Sequence, residues 1–211
     1  ELRDVSGNPV LTAGTSITVA IASGGGRLAG TATITTDASG RATYSGLNIT
    51  GSAGNRTLTF ASNGLTSATS NNVNITAGAA TTLAIATEPS ATAQNDVNFA
   101  QQPTVQLKDA SGNNVAQAGV TITAVLASGA NTLGGTLTAT TNAQGLATFT
   151  NLKITGATGN RTLRFTSGSL TPDTSTTVAI TAGAATQIAI ITQPSTTAQS
   201  GTNFAQQPVV E

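Results

Sequence analysis

A repeat of about 105 residues is the feature that most constrains the fold of this chain. Shifted by that distance, the sequence aligns with itself without a gap, and more than half of the positions are identical. The segment Gly54–Leu58 recurs as Gly159–Leu163, and the segment Ala77–Thr81 recurs as Ala182–Thr186. We therefore expect successive copies of one fold, each with its own core and an interface to its neighbour.

The boundaries between repeats coincide with runs of small residues that separate strand-like segments. The residues predicted to form these inter-repeat joints are Ala77, Gly78, Ala79, Ala182, Gly183 and Ala184. The sequence then divides into a repeat at 1–76 that lacks its first strands, a complete repeat at 77–181, and the first strands of a further repeat at 182–211. Because the joints are short, we expect a stiff chain of domains.

Two arrangements account for the incomplete repeats at the two ends. Either the polypeptide continues in both directions, or separate chains complete one another by lending strands. Glu1, Gln106 and Glu211 occupy the same repeat position, inside the predicted strand 104–108. A strand assembled from two half-strands on separate chains is weakest at its break, so covalent continuity is favoured.

Within the complete repeat, apolar and polar residues alternate with the period of β-strands. The predicted strands are 82–87, 104–108, 120–126, 136–141, 146–150, 161–166 and 176–181. The residues predicted to share the apolar faces of these strands are Val105, Leu107, Leu137, Ala139, Phe149, Leu163, Phe165, Val178 and Ile180. Residues 128–135 are predicted to form a loop. About seven short strands separated by turns are typical of a two-sheet sandwich, and no segment has a helical period.

The order of turns and strands resembles that of bacterial immunoglobulin-like domains of the invasin/intimin type. The residues that carry the resemblance are the Gly-Asn turn of Asp4–Val10, the Asp-Ala-x-Gly turn of Thr36–Thr43 and the Gly-x-Arg-Thr-Leu motif of Gly54–Leu58. The resemblance implies an all-β fold of immunoglobulin-like, Greek-key β-sandwich repeats in tandem, with about 105 residues per repeat. It also implies a stalk module of an adhesin, extracellular or on the bacterial cell surface.

Charge and composition exclude several functional classes. The chain carries 8 basic and 8 acidic residues, so it has no excess charge with which to gather nucleic-acid phosphates. It has no His and no Cys, which removes the commonest general base, thiolate nucleophiles and disulfides. No apolar run within this segment is long enough for membrane insertion. We therefore expect neither enzymatic activity nor a cofactor site.

The expected partners are neighbouring repeats of the same chain and, in a fibre, identical chains. The sequence indicates no particular host or environmental ligand. Asp109 is the one carboxylate considered as a metal ligand, because it lies near a predicted joint. A calcium ion needs several clustered oxygen ligands, whereas Asp37, a comparable turn carboxylate, is replaced by Asn142 in the complete repeat. Turn formation is therefore the favoured role of Asp109, and no metal site is predicted.

The recurring Arg56 and Arg161 lie in equivalent positions of the two repeats and admit two interpretations. They could form a ligand-contacting ladder along the rod. Alternatively, they could be solvated charges at a sheet edge, which discourage aggregation. The second interpretation is favoured.

Three functions from different classes are consistent with these residues. The favoured one is the structural rod or stalk of a bacterial cell-surface adhesin or extracellular fibre. The second is a subunit of an extracellular filament that polymerises through strand complementation or lateral packing. The third is a carbohydrate- or ice-binding module, which the threonine rows at 31–35 and 136–140 would permit.

Overall fold

Strands and their connecting loops account for the whole fold in the computed structural model, which describes residues 1–211. The predicted all-β class is therefore confirmed. None of these residues forms a helix of the length and apolarity needed to cross a membrane. The strands fall into three groups, and each strand pairs only with strands of its own group.

Residues 1–76 contain seven strands. They are β1 (Ser16–Ser23), β2 (Arg27–Ala29), β3 (Thr33–Thr35), β4 (Asn48–Thr50), β5 (Gly54–Ala61), β6 (Ala68–Thr69) and β7 (Val73–Ile75). The main sheet has the order β3-β1-β5-β6, with β7 also paired to β5, and β2 pairs with β4. In its centre, Val19 of β1 lies opposite Phe60 of β5.

Residues 77–181 contain twelve strands. They are β8 (Ala80–Thr87), β9 (Thr92–Gln94), β10 (Thr104–Asp109), β11 (Thr121–Leu126), β12 (Thr132–Gly134), β13 (Thr138–Thr140), β14 (Leu146–Thr148), β15 (Lys153–Thr155), β16 (Gly159–Arg161), β17 (Leu163–Thr166), β18 (Asp173–Thr174) and β19 (Val178–Thr181). The largest sheet has four strands in the order β13-β11-β17-β18. Two sheets have three strands each, in the orders β14-β10-β8 and β16-β19-β9, and β12 pairs with β15.

Residues 182–211 contain only two strands, β20 (Ile190–Thr192) and β21 (Val209–Val210). They pair with each other as an antiparallel hairpin and with no other strand of the chain. This unit is called the tail below.

The hydrophobic core lies between the sheets of the complete unit. It consists of fifteen buried apolar residues: Leu83, Phe99, Val105, Leu107, Val115, Ile122, Ala124, Ala147, Phe149, Leu152, Ile154, Leu163, Phe165, Val178 and Ile180. At its centre the rings of Phe149 and Phe165 pack 5.3 Å apart. Seven of the nine residues that the period-2 pattern placed on apolar strand faces belong to this core, because alternate side chains of a strand point to the same face. Ala139 only packs against the core, and Leu137, which lies just before β13, is 37% exposed.

The structure differs from the predicted seven-strand unit in the number and shortness of its strands. The segment 128–135, predicted to be a loop, contains β12, in which Leu133 lies opposite Ile154 of β15. The prediction of a pure loop was therefore wrong. A three-residue strand is too short to show an alternating pattern, so its pairing partner alone identifies it.

The Asp/Asn-Ala-x-Gly motif forms the turn that leads into β14. The side chain of Asn142 accepts hydrogen bonds from the backbone N–H groups of Gln144 (2.9 Å) and Leu146 (3.1 Å), as an Asx turn does. Gly145 has a φ of 75°, and a Cβ atom there would collide with the carbonyl oxygen of Val115. The glycine is thus required both by its backbone conformation and by the close approach of the backbone at Val115.

Candidate functional site: the joint between repeats

The joint between the first two units is built around a turn at the end of β10. One carboxylate oxygen of Asp109 accepts hydrogen bonds from the backbone N–H groups of Ser111 (2.9 Å) and Asn113 (2.8 Å). The other accepts from the Asn113 side-chain amide (2.9 Å) and from the backbone N–H of Gly78 (2.8 Å). The carboxylate therefore closes its own turn and holds the connecting segment against it.

These donors stabilise the ionised form of Asp109. The side-chain hydrogen bond from Asn113, followed by that from the Gly78 N–H, lowers the pKa of Asp109 to about 2. The residue is only 7% exposed, and this burial acts in the opposite direction. Hydrogen bonding thus outweighs desolvation, and Asp109 is a fixed negative charge at neutral pH.

Asn113 connects this turn to the preceding unit. Its side-chain oxygen accepts a hydrogen bond from the backbone N–H of Ala53 at 2.7 Å. Its side-chain amide donates to the backbone carbonyl of Gly51 at 3.0 Å. One amide side chain therefore satisfies a donor and an acceptor of the loop between β4 and β5, which fixes the two units end to end through directional contacts.

The predicted joint residues divide into two sets. Ala77 packs against the core of the complete unit, and Gly78 donates the hydrogen bond to Asp109, whereas Ala79 is exposed. Their counterparts Ala182, Gly183 and Ala184 are all exposed, and none of them donates a backbone hydrogen bond to a carboxylate as Gly78 does. The hydrogen bond to Asp109 therefore involves the first set alone.

Asp109 is not part of a metal-ligand cluster, since no group of three or more acidic side chains comes together in residues 1–211. Four N–H groups point at its two oxygens, which is the environment of a structural turn carboxylate. The described geometry gives Asp109 a role in the joint.

The two recurring arginines have a different role from the one favoured above. The prediction of a solvated edge charge was wrong for Arg56, which is 4% exposed. Its guanidinium donates to the carbonyl oxygens of Asn55 and Ser52. Ser52 lies between the two residues that bind Asn113, so Arg56 positions the loop that docks on the next unit.

Arg161 holds the equivalent loop of the complete unit. Its guanidinium donates to the side-chain oxygen of Asn131 at 2.9 Å and 2.6 Å, and to the carbonyl oxygen of Ala157 at 3.0 Å. A Cβ at Gly129 would collide with this side chain, which explains the glycine in the preceding Ser-Gly loop. Recurrence of Gly-Asn-Arg was the sequence signal for this role, but the partner Asn131 lies 30 residues away and was not recognisable.

Residues 1–76 present an open groove on the side where the complete unit is closed by β8. Its volume is about 860 Å³. Its walls include Leu2, Ile17, Tyr44, Phe60 and Leu65. Four counterparts of these residues are at most 2% exposed in the complete unit: Leu107, Ile122, Phe149 and Phe165.

A second and smaller groove of about 210 Å³ lies between β4, β5 and β7. Six of its seven lining residues are hydrophobic: Leu28, Leu47, Ile49, Leu58, Val73 and Ile75. In the complete unit, Phe99 is buried in the same cluster as the counterparts of the last five. Both grooves therefore mark positions that the first strands of a repeat occupy.

Comparison with known families identifies the class of the complete unit. Residues 78–182 match the family model described as immunoglobulin-like domain 6 of SMCHD1. This part of the chain is an immunoglobulin-like domain. The immunoglobulin-like fold expected from the residues is thus confirmed for this part of the chain.

Solved structures of several kinds are similar to the chain. The adhesin InvE of Yersinia pseudotuberculosis is 22% identical (TM-score 0.36) over 84% of this chain and 51% of its own. The Escherichia coli adhesin FdeC is 18% identical (TM-score 0.40) over 89% and 60%, respectively. A family 2 glycosyl hydrolase of Bacteroides cellulosilyticus is 11% identical (TM-score 0.41) over 79% and 22%. The chain thus spans less than two thirds of each of these proteins. No curated protein sequence matches it significantly.

Proposed function

We infer that this chain is a segment of a structural rod, the stalk of a bacterial cell-surface adhesin or an extracellular fibre. The observation that carries the inference is the joint, in which Asp109 and Asn113 fix consecutive immunoglobulin-like units through hydrogen bonds to backbone groups. Such contacts define direction as well as distance, so they resist bending between units. A repeated unit with a fixed joint makes a rod whose length grows with repeat number.

The residues of the joint recur in the chain, which supports a continuing array. Asp4 and Asn8 repeat Asp109 and Asn113, and the Asn8 side-chain amide donates to Asp4 at 3.0 Å, as its counterpart does. Arg161 holds the loop equivalent to the one that docks on Asn113. Each unit therefore carries one half of a joint at each end.

A catalytic role has little chemical basis in this chain. It has no His and no Cys, and seven of its eight acids are already engaged. Asp4, Asp37, Glu88, Asp109 and Asp173 accept backbone hydrogen bonds, and Glu1 and Asp96 lie in ion pairs with Arg3 and Lys153. We therefore assign the similarity to glycosyl hydrolases no functional meaning. A rod of an adhesin or an extracellular fibre would lie outside the cell or on its surface.

The rod is tested by the length of covalent arrays. Chains of two, four and eight copies of residues 77–181 should give maximum dimensions in small-angle X-ray scattering that rise linearly with copy number. A beaded chain would instead grow roughly as the square root of copy number, and that result would refute the rod. The matched control is the same array with Asn113→Ala in every copy, which should bend at each joint and fall below the linear trend.

The surface location has its own test. Antibodies against residues 77–181 should label intact cells that produce the protein. Labelling only after the cells are permeabilised would contradict the proposed location, while leaving the rod geometry untouched.

A further inference from the structure

A buried arginine of the first unit and a buried aspartate of the complete unit lie on the two sides of the joint. Arg56 is 4% exposed and Asp109 is 7% exposed. Neither takes part in an ion pair. A buried charge is costly unless it is paired or hydrogen-bonded, so the contacts between these two residues decide how the joint is stabilised.

One continuous series of hydrogen bonds connects the two charges, and it is called the relay below. The Arg56 guanidinium donates to the carbonyl oxygen of Ser52. The N–H of the same peptide group, at Ala53, donates to the side-chain oxygen of Asn113 at 2.7 Å. The Asn113 side-chain amide in turn donates to Asp109 at 2.9 Å. Two amide groups therefore link the cation of one unit to the anion of the next.

All the bonds of the relay point in the same direction, from the first unit to the complete unit. An amide group that accepts a hydrogen bond at its oxygen becomes a better donor at its N–H, because the two atoms share one resonance system. The charge of Arg56 thus polarises the peptide at 52–53, and that peptide polarises the Asn113 amide. Each bond should be strengthened by about 10–30%, so the relay couples two residues that share no direct hydrogen bond.

Arg56 depends on the relay more than its counterpart Arg161 depends on the equivalent bond. The Nε–H group of Arg56 is buried and has no hydrogen-bond partner, whereas that of Arg161 donates to Asn131 at 2.9 Å. The remaining acceptor of the Arg56 guanidinium is the carbonyl oxygen of Asn55. The Ser52 carbonyl is therefore the acceptor through which Arg56 reaches the next unit.

The donor half of the relay recurs in the complete unit. Arg161 donates at 3.0 Å to the carbonyl oxygen of Ala157, which is the counterpart of Ser52. The side chains of the two loops differ, since Ser52 and Ala53 are replaced by Ala157 and Thr158. The relay uses only the peptide group at this point, so it tolerates these differences.

The acceptor half of the relay recurs in the first unit. The Asn8 side-chain amide donates to Asp4 at 3.0 Å, which is the bond that links Asn113 to Asp109. An Asp-x-x-x-Asn turn therefore fixes its own amide and presents the amide oxygen for a further contact. A partner that is already in position keeps the entropic cost of the contact low.

We propose that the joint is a directional recognition contact, in which Arg56 acts through the 52–53 peptide and the Asn113 amide on the carboxylate of Asp109. The loop at the end of one unit is thereby matched to an Asp-x-x-x-Asn turn in the next. Arg56 is a positioning residue that acts through its charge as well as its shape. As a rule for successive repeats, the proposal rests on the rod inferred above, and it involves no residue of the tail.

The experiment follows the Ala53 amide proton by NMR spectroscopy while the unmodified chain of residues 1–211 is titrated with acid. Protonation of Asp109 removes the charged acceptor of the Asn113 amide, so the Asn113 oxygen becomes a weaker acceptor for Ala53 N–H. The Ala53 amide proton should therefore shift upfield with a midpoint near pH 2, because the pKa of Asp109 is about 2. An Ala53 resonance that does not respond to this titration overturns the relay.

Arg56→Gln tests the relay from its other end. The variant keeps an N–H donor but removes the charge, so the acid dissociation constant of Asp109 should fall about twofold to threefold, which raises its pKa. The signal of the Asp109 side-chain carboxyl carbon measures this change. Arg56→Lys keeps the charge and should preserve most of the lowered pKa. An equal rise in both variants would show that Arg56 contributes only its shape, which contradicts the proposal.

Two further chains separate the relay from other kinds of coupling. Asn113→Ala interrupts the relay and leaves both charges in place, so Arg56→Gln should no longer change the pKa of Asp109 in this background. A rise of the same size there would mean that the charges interact directly through space, and the relay would be wrong. Arg161→Gln is the matched control, because the bonds of Arg161 do not lead to Asp109, whose pKa should stay unchanged.

Failure of the relay can be distinguished from failure of the rod. If Arg56 and Asp109 prove to be uncoupled, the hydrogen bonds of Asn113 to the preceding unit remain, and covalent arrays should still lengthen linearly. Arrays that bend in spite of an intact coupling would instead refute the rod.

Discussion

Residues 1–76 and residues 77–181 are identical at more than half of their equivalent positions. They nevertheless differ sharply in the number of apolar side chains that are buried. The complete unit contains fifteen buried apolar residues, whereas Val19 is the only apolar residue of the first unit that is buried to the same degree. Leu163 and Phe165 are fully buried, but their counterparts Leu58 and Phe60 are only partly buried.

The difference arises from one structural layer and not from the quality of the shared sequence. The aromatic pair survives in the first unit, where Tyr44 replaces Phe149 and its ring lies 5.6 Å from that of Phe60. Residues 1–76 contain no counterparts of β8 and β9, which cover one side of the core in the complete unit. The opening strands of a repeat therefore close one side of a core whose other sides form without them.

The largest contrast is expected from truncation of the shared phenylalanine. Phe165→Ala should destabilise the complete unit by about 3–5 kcal/mol, because it leaves a cavity in a closed core. Phe60→Ala should cost clearly less in this chain, since Phe60 is only partly buried. Urea unfolding measures both: circular dichroism follows the whole chain, and fluorescence of Tyr44, the single tyrosine, follows the first unit. Equal losses would show that the two cores are equally closed.

The pH dependence of stability should differ between the turn carboxylates of Asp109 and Asp4. The pKa of Asp109 falls to about 2 on folding, so its stabilisation is complete above about pH 4 and is lost as the pH decreases towards 2. Asp109→Asn should flatten the pH dependence of the melting temperature in this window. Asp4→Asn should flatten it less, because Asp4 receives no hydrogen bond from a preceding unit. The reverse order of effects would contradict the joint geometry.

Asn113 and Asn8 provide a smaller contrast that is specific to the joint. Asn113→Ala removes the two hydrogen bonds to the preceding unit and should cost about 1–2 kcal/mol. It should also speed hydrogen exchange of the Ala53 amide, which donates to Asn113. In the monomeric chain, Asn8→Ala should leave that amide unchanged. An Ala53 amide that exchanges at the same rate in all three chains would argue against the contact.

The smallest effect is expected from the exposed ion pair. The Lys153 ammonium contributes to the lowered pKa of Asp96, 2.7 Å away, but both side chains are substantially solvated. Lys153→Ala should therefore change the melting temperature only slightly, and added salt should reduce the difference further. Asn48→Ala in the first unit is the neutral control. A large, salt-independent loss would mean that the lysine has another structural role.

The sequence predicted the residues whose role depends on local periodicity. Val105, Leu107, Leu163 and Phe165 were placed inward from the period-2 pattern alone, and all four are fully buried. The turn role favoured for Asp109 is likewise visible in its hydrogen bonds. In these cases the interacting groups lie close together along the chain, so the local pattern is sufficient.

The sequence could not predict roles that depend on distant partners. Arg56 was interpreted as a solvated charge, because nothing near it in the chain indicates the folded-back loop that buries its guanidinium. The Gly78 contact to Asp109 joins residues 31 positions apart, and Asn113 reaches residues 60 and 62 positions away. The sequence placed Asp109 near a predicted joint, but it did not reveal the contact of Asp109 with Gly78 or the part played by Asn113.

The parallel pairing of β9 with β19 has a consequence for a chain under tension. In every other strand pair of residues 1–211 the partners are antiparallel, but here Ala179, Ile180 and Thr181 run alongside Thr92, Ala93 and Gln94. Pulling the two ends of the domain apart drags β9 and β19 past each other lengthwise. Their hydrogen bonds then take the force together in shear and do not open one after another, which is the arrangement that yields last when a protein is stretched.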